Sequence, residues 1–221
     1  MNHLEFTFEQ PLWEQVLGSI PVGGELDAVR FLTNRSTGKM GYALAEAARD
    51  AGYDVTLVSG PVSLAPVDGV TMVMIESAAD MADAVKSRAP EMDIVIMAAA
   101  VADYRPAQVH QGKMKKQPGN LMLELERTED ILASLGQVKP SGQILVGFAA
   151  ETDDLLANAA GKLQRKNLDW IVANDVSRSD RGFGTSTNAV TMICRDGRRI
   201  DLPLAEKKDI ARTILRTVDG R

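Results

Sequence analysis

The feature that most restricts the fold of this chain is the apolar run Asp93-Ile-Val-Ile-Met97 and the segment it enters, Ala98-Ala-Ala-Val-Ala-Asp-Tyr-Arg-Pro106. A short, continuous apolar run bounded by small and polar residues reads as a strand buried on both faces, the signature of a parallel sheet. Small residues at its exit let a ligand approach the backbone. Ligands of open α/β sheets bind beyond the carboxyl ends of strands. Asp103, Arg105, Lys113, Lys115 and Lys116 follow at that place. A carboxylate and a cationic cluster there point to an anionic, phosphorylated ligand.

Similar strands recur along the chain. Asp54-Val-Thr-Leu-Val58, Val70-Thr-Met-Val-Met-Ile75, Ile144-Leu-Val-Gly-Phe148 and Trp170-Ile-Val-Ala173 read as strands. Helical stretches lie between them. Ser77–Arg88 places Ala78, Met81, Ala82 and Val85 on one face, with Ser77 as N-cap. A second helix is expected near 152–166. The alternation predicts a doubly wound, Rossmann-like, mainly parallel sheet with helices on both faces. At the C-terminus Ala189–Cys194 and Arg199–Leu202 flank Asp196-Gly197, a hairpin signal. A last helix over about 205–218 gathers Ile210, Ala211, Ile214, Leu215 and Val218 on one side. Residues 101–126 break the alternation: they are polar, basic and Pro-bearing, then read Leu121-Met-Leu-Glu-Leu-Glu126. An extended arm is expected there, either a lid, a pairing surface or a surface loop.

The 221 residues suffice for one sizeable core, and a net charge of −5 argues against broad nucleic-acid binding. The single cysteine, Cys194, excludes an internal disulfide and reads as a small buried strand residue. His3 and His110 give no metal-ligand spacing. No apolar run approaches the roughly 20 residues a membrane span needs, and the N-terminus has no secretory pattern. A cytoplasmic protein without a membrane partner is expected.

Four groups of residues can carry chemistry. Asn34-Arg-Ser-Thr-Gly-Lys-Met-Gly41 precedes a helix beginning at Tyr42; Ser36 or Thr37 can cap it, and Gly38 and Gly41 leave backbone N–H groups open at its positive end. That is a phosphate cradle or an ordinary helix start; it matches neither the Walker A nor the Gly-x-Gly-x-x-Gly spacing. Asp103 can hydrogen-bond a ribose or a base edge, or pair with Arg105. Lys113, Lys115 and Lys116 serve an anion or form a solvated face. Lys162 and Lys166, four apart on one helical face, form a polyphosphate clamp or a solvated surface. Phe148 can stack on a base or sit in the core. No Ser-His-Asp or Cys-His arrangement is legible.

Several longer motifs match one family in order. They are Leu26-Asp-Ala-Val-Arg-Phe-Leu-Thr-Asn-Arg-Ser-Thr-Gly-Lys-Met-Gly41, Leu57-Val-Ser-Gly-Pro-Val-Ser63, Ala98–Pro106 with Lys113-Met-Lys-Lys116, Val146-Gly-Phe-Ala-Ala-Glu-Thr152, Arg165-Lys-Asn-Leu-Asp169 and Ala173-Asn-Asp-Val176. From about residue 25 onward the chain resembles bacterial phosphopantothenoylcysteine synthetase, the ligase half of a bifunctional coenzyme A biosynthesis protein. The resemblance implies that CTP, with Mg²⁺, activates 4′-phosphopantothenate as an acyl-cytidylate, which cysteine then attacks. It implies that Asn34 holds the phosphopantothenate and acyl-cytidylate end and that Asp103 contacts the nucleotide. Lys113 closes over the site from the arm, Phe148 lies beside the cytidine, and Lys162 and Lys166 face the triphosphate. The same motifs place Ser59 and Gly60 with the nucleotide, and Arg30, Ser36, Gly38, Lys39, Ala99 and Ala100 with substrate or phosphate. A homodimer built through the arm is implied, and the flavin-bearing decarboxylase half has no counterpart, so a separate phosphopantothenoylcysteine decarboxylase is a possible partner.

One segment departs from the family. Its first strand ordinarily enters a Thr-Ala-Gly loop facing the phosphates; here the sequence is Val16-Leu-Gly-Ser-Ile-Pro-Val-Gly-Gly-Glu-Leu-Asp27. Val16 and Leu17 keep strand character and Gly23-Gly24 keep backbone donors, while residues 1–12 match nothing in the family. The expected division is a divergent segment 1–24 holding a first strand, then one ligase domain over 25–221. The alternative is a binding paralogue without catalysis.

Overall fold

A computed structural model of the chain describes residues 3–8, 24–28, 30–32, 34, 36–116, 118–151, 155–175 and 185–220. Its centre is an eight-stranded sheet. In chain order the strands are β1 (His3–Phe8), β4 (Asp54–Ser59), β5 (Thr71–Met74), β6 (Ile94–Met97), β9 (Ile144–Glu151), β10 (Trp170–Asp175), β11 (Thr187–Cys194) and β12 (Arg199–Glu206). Across the sheet the order is β12-β11-β10-β9-β6-β1-β4-β5. The six strands from β10 to β5 are parallel, and β11 and β12 extend the sheet as an antiparallel hairpin. Outside the sheet lie two small ladders, β2 (Gly24–Glu25) with β3 (Phe31–Leu32) and β7 (Tyr104–Pro106) with β8 (Leu125–Arg127).

Five helices cover the two faces. α1 (Lys39–Asp50) and α5 (Lys207–Asp219) pack on one face, and α2 (Ala78–Arg88), α3 (Ile131–Val138) and α4 (Leu155–Arg165) on the other. Strand alternation sends Ile94 and Ile96 into the α1–α5 core and Val95 and Met97 into the other. All four residues of β6 are therefore buried, as an interior parallel strand requires. The chain starts the sheet at β1, runs outward to β5, then crosses back to β6. The sheet thus reverses its direction of growth between β1 and β6, where a crevice opens at the carboxyl ends.

The doubly wound architecture, the C-terminal hairpin and the burial of Cys194 agree with the sequence. Gly197 adopts φ 90° in the hairpin turn, a conformation few other residues accept. Ser77 is the N-cap of α2, in a capping box with Asp80: Asp80 N donates to Ser77 Oγ at 3.1 Å and Ser77 N to Asp80 Oδ2 at 2.9 Å. Ser77→Ala is expected to cost about 1 kcal/mol, read as a lower urea midpoint at unchanged slope.

The first described strand is His3–Phe8, inside the segment 1–24 expected to hold one, and it lies between β6 and β4 in the sheet. Val16 and Leu17 lie outside the described residues. The cap of α1 is Gly38, at φ 72° with no side-chain cap bond, rather than Ser36 or Thr37; Ser36 Oγ accepts instead from Gly38 N at 3.5 Å. The arm pairs with itself through β7 and β8, leaving Leu121, Met122, Leu123 and Leu125 exposed, Met122 at 90%. No helix among the described residues is long and apolar enough to cross a membrane.

Candidate functional site

The crevice at the carboxyl edge is a cleft of about 530 Å³. Its walls come from segments far apart in sequence. Asn34, Ser36 and Thr37 lead into the N-terminus of α1, where Gly38, Lys39 and Met40 line the cleft. Ala98–Val101 and Asp103 follow β6, Phe148–Ala150 end β9, and Lys162 reaches in from α4. The small side chains after β6 bring main chain to the cleft surface, which explains why that strand exits into alanines. Asn34 Nδ2 donates to the carbonyl of Ala100, so the segment before α1 and the segment after β6 are tied together. Phe148 is half-buried against the α1–α5 core while one side lines the cleft. Asp103 is exposed at the rim. It does not pair with Arg105, which binds Glu126 at 2.8 Å across the β7–β8 ladder.

A second, smaller hollow of about 110 Å³ opens beside it and shares Ala99, Val101, Asp103 and Phe148. Lys166 lines this hollow and pairs with Asp130, the N-cap of α3, at 2.8 Å. The two lysines expected to act as one clamp thus face adjoining cavities. Lys166 directly follows α4 and its N–H still donates to Lys162 O at 3.0 Å, so the two residues share a helical turn, but the pairing of Lys166 with Asp130 holds its side chain in the neighbouring hollow. A larger cleft, about 680 Å³, runs under the arm, with Glu76, Asp80, Asp83, Glu126 and Glu129 among its walls. Its charge is the wrong sign for a phosphate, and chemistry rather than size selects the carboxyl-edge cleft.

Several residues expected at the site lie elsewhere. Ser59 is fully buried, sharing hydrogen bonds with Tyr42 (3.2 Å) and the Gly60 carbonyl (2.8 Å); neither Ser59 nor Gly60 lines the cleft. Arg30 binds the buried Asp27 and donates to Met114 O at 3.2 Å. Asp27 also accepts from Met114 N at 3.0 Å, so this pair fastens the middle of the arm. Lys113 is exposed on the arm, outside the cleft of its own chain.

The cleft also contains residues with no role foreseen from sequence: Asn174 at the end of β10, Asn188 on β11 and Lys207 at the start of α5. Asn188 is 2% exposed and Lys207 6%. The Asn174 Oδ1 is buried without a hydrogen-bond partner among the described residues. Lys207 Nζ donates to Thr185 O at 2.7 Å. Burial and then the charge of Lys39 push its pKa down to about 8. Its sequence signal was a lysine at the head of the stripe Ile210, Ala211, Ile214, where an apolar residue is expected. The unfolded chain holds that proton to about pH 10.5. Between about pH 8 and 10.5 the unfolded state therefore binds more protons, and stability rises with pH. Lys207→Met is expected to remove this part of the slope, measured as the difference between parent and variant urea midpoints across that window.

Residues 17–220 match the C-terminal domain of the DNA/pantothenate metabolism flavoprotein. The chain is 52% identical to the coenzyme A biosynthesis bifunctional protein CoaBC of Bacillus subtilis over 204 residues, 92% of this chain and 50% of that protein. It spans about half the length of the curated relatives it matches. A crystal structure of the C-terminal domain of a CoaBC protein superposes with a TM-score of 0.80 at 43% identity, covering 99% of this chain and 94% of that one. A Cab2 mutant in complex with phosphopantothenate-cysteine shares the fold at 19% identity, with a TM-score of 0.76 and coverage of 99% and 87%. A family match over residues 17–220, 52% identity to a member over 92% of the chain and a shared fold place the chain in the family of the DNA/pantothenate metabolism flavoprotein C-terminal domain.

Proposed function

We propose that the chain is a CTP-dependent ligase that joins 4′-phosphopantothenate to cysteine through an acyl-cytidylate, a step of coenzyme A biosynthesis in the cytoplasm. The observation that carries this reading is the convergence of Asn34, Asp103, Phe148 and Lys162 with the N-terminus of α1 in one cleft. The names of the relatives, and the ligand of the Cab2 complex, support the substrate class.

In this reading the phosphopantothenate carboxylate oxygen attacks the α-phosphorus of CTP. The bond from that phosphorus to the bridging oxygen breaks, and pyrophosphate leaves with the electron pair. The cysteine amine then adds to the acyl carbon, gives up a proton, and CMP departs. Neither step needs a protein nucleophile; both need charge neutralised and atoms held in line. The backbone N–H groups of α1 and the Lys39 and Lys162 ammonium groups suit the phosphates. Phe148 offers an apolar face for the pyrimidine, and the rim carboxylate of Asp103 suits an amine or hydroxyl of the nucleoside. Asn34 sits beside the Ala100 carbonyl, where its amide can orient the acyl group. No group of three or more His, Cys, Asp or Glu side chains placed to hold a metal ion occurs among the described residues. Mg²⁺ would enter with the triphosphate, with Asp103 the carboxylate that the described residues of the cleft would offer it, and would supply neutralisation of phosphate charge.

Formation of phosphopantothenoylcysteine and release of pyrophosphate, followed with CTP and with ATP, test the reading. Product with CTP supports it. Tight binding of CTP or phosphopantothenate with no turnover would establish the paralogue that the altered segment 16–27 suggests, and replace it.

We also propose a homodimer built through the arm. Leu121, Met122, Leu123 and Leu125 are exposed on it, as are Tyr104 and Val109. A second copy related by two-fold symmetry would cover them and carry Lys113 toward the partner's cleft. Deleting residues 107–120 is expected to weaken self-association in sedimentation, and Lys113→Ala to lower turnover by about 10²–10³ with the fold intact. A monomer with full activity would refute the arm's role. The product would pass to a phosphopantothenoylcysteine decarboxylase activity, the next step in this reading.

A further inference from the structure

The groove of about 680 Å³ under the arm combines apolar surface with an acidic lining. Ala78, Ala79 and Ala82 of α2 supply the apolar part, with Pro106 and Ala107 of the arm. Six carboxylates line it against two guanidinium groups, Arg105 and Arg127. Arg105 is engaged by Glu126 at 2.8 Å, and Arg127 lies over the Tyr104 ring at 6.0 Å. Glu129 pairs with Lys86 at 2.9 Å, and Asp80 serves the cap of α2. Glu25, Glu76 and Asp83 are exposed and have no hydrogen-bond or ion-pair partner among the described residues. Like charges gathered around one hollow repel one another, and a cation that enters relieves them all. The complementary charge sits on the arm itself. Lys113, Lys115 and Lys116 are exposed, have no partner among the described residues, and line neither this groove nor the carboxyl-edge cleft of their own chain. The groove also adjoins the candidate site. It shares Thr128 and Glu129 with the small hollow, which in turn shares Asp103 with the carboxyl-edge cleft.

We propose that this groove receives Lys115 and Lys116 of a second copy of the chain. The inference rests on the arm homodimer proposed above and adds to it the surface that each arm engages. Two-fold symmetry makes the contact reciprocal, because every copy offers one basic tip and one acidic groove. An extended chain advances about 3.4 Å per residue, so Lys113 and Lys116 lie within about 10 Å of each other. One segment therefore sets Lys113 toward the partner's carboxyl-edge cleft and the next two lysines in the adjoining groove. A second copy is favoured over an unrelated basic protein by the exposed apolar residues of the same arm. Val109 lines the groove, and Tyr104, Leu121, Met122, Leu123 and Leu125 share its exposure. Covering them and neutralising the groove then happen in one contact. Two copies, each of net charge −5, repel at long range, so their attraction has to be local, as this pairing is.

The test is a charge swap on the full chain, read as a dissociation constant by sedimentation equilibrium. A tip variant carries Lys115→Glu with Lys116→Glu, and a groove variant carries Glu76→Lys with Asp83→Lys. Each alone places like charges in contact and is expected to raise the dissociation constant roughly tenfold to a hundredfold. An equimolar mixture of the two restores both contacts. The native tip of the groove variant meets the native groove of the tip variant, and the two reversed surfaces meet each other. The mixture should associate within about threefold of the parent. Single variants that associate like the parent, or a mixture as weak as its components, would overturn the proposal. Lys115→Gln with Lys116→Gln gives a measurement that does not depend on the reversed variants folding. The parent's dissociation constant should rise more steeply with added salt than that of the glutamine variant. Equal salt slopes would also overturn it. A parent that dimerises while these variants change nothing keeps the arm homodimer and loses only the groove contact. A parent that stays monomeric loses both, whereas the ligase reading stands or falls on turnover alone.

Discussion

Asn34→Asp is expected to lower ligase turnover by roughly 10³-fold while the chain remains folded. Asn34 is exposed, and its amide donates to the carbonyl of Ala100, joining the segment before α1 to the segment after β6. Aspartate has almost the same shape but only acceptors. Its carboxylate would face the Ala100 oxygen, so the contact between the two segments turns from attractive to repulsive. In the proposed reaction it also adds a negative charge where two anionic substrates would meet. Losing one oriented donor at a developing charge typically costs about 10²–10³ in rate, and the added repulsion accounts for a further tenfold or so, about 1.4 kcal/mol. Asn34→Ala removes the donor without adding the charge and should fall less. Stability should move by no more than about 0.5 kcal/mol in either variant, because the site is exposed. A single-turnover experiment separates the steps: pyrophosphate release reports acyl-cytidylate formation, and phosphopantothenoylcysteine reports its capture. An aspartate variant that completes both steps within tenfold of the parent rate would remove Asn34 from the chemistry.

The parts of this fold that could be read in the sequence are those with continuous local signals. Ile94–Met97 reads as a buried strand because both of its faces are apolar. The Asp196-Gly197 turn and the Ser77/Asp80 box announce themselves within a few residues. The central strand His3–Phe8 was illegible for the opposite reason. His3-Leu-Glu-Phe-Thr-Phe8 alternates polar and apolar residues, the pattern of a half-exposed strand, and only pairing with β4 and β6 reveals its place. α3 is eight residues long with a glycine near its middle, too short and too mixed for periodicity to show. At the site, residues joined by sequence motifs were legible, whereas partners brought together only by topology were not. Asn34 and Ala100 are far apart in sequence yet touch, and Lys207 enters from the last helix. Other motif residues are held by their own neighbourhood: Ser59 Oγ donates to Gly60 O and shares a hydrogen bond with the Tyr42 hydroxyl, and Arg30 pairs with Asp27 beside the middle of the arm.

The largest stability effect should come from Gly136→Ala, a methyl group added within α3. A Cβ there would lie 1.9 Å from the carbonyl oxygen of Lys166 and 2.8 Å from its carbonyl carbon. Both are backbone atoms, so no rotamer change relieves the clash. The facing turn is itself fixed in place. Asn167 stands at φ 54°, donates through Nδ2 to Gly136 O at 2.7 Å, and accepts from Arg195 Nη2 at 2.6 Å. Separating α3 from this turn would break those bonds and shift Lys166, which lines the hollow beside Phe148. Overpacking costs typically 1–3 kcal/mol where side chains can yield, so about 3 kcal/mol or more is expected here, a fall in Tm of roughly 6–12 °C for a chain of this size. Gly161→Ala supplies the contrast. Gly161 lies within α4, and a Cβ there would meet only the end of Arg165, at 3.7 Å. With no clash, the gain in helix propensity should raise stability by about 0.5–1 kcal/mol. Urea midpoints moving in opposite directions for two chemically identical substitutions would establish that contact with the Lys166 carbonyl, rather than the loss of a glycine, sets the result. If Gly136→Ala left the midpoint within 1 kcal/mol of the parent, the close packing of α3 on the Lys166–Asn167 turn would be wrong.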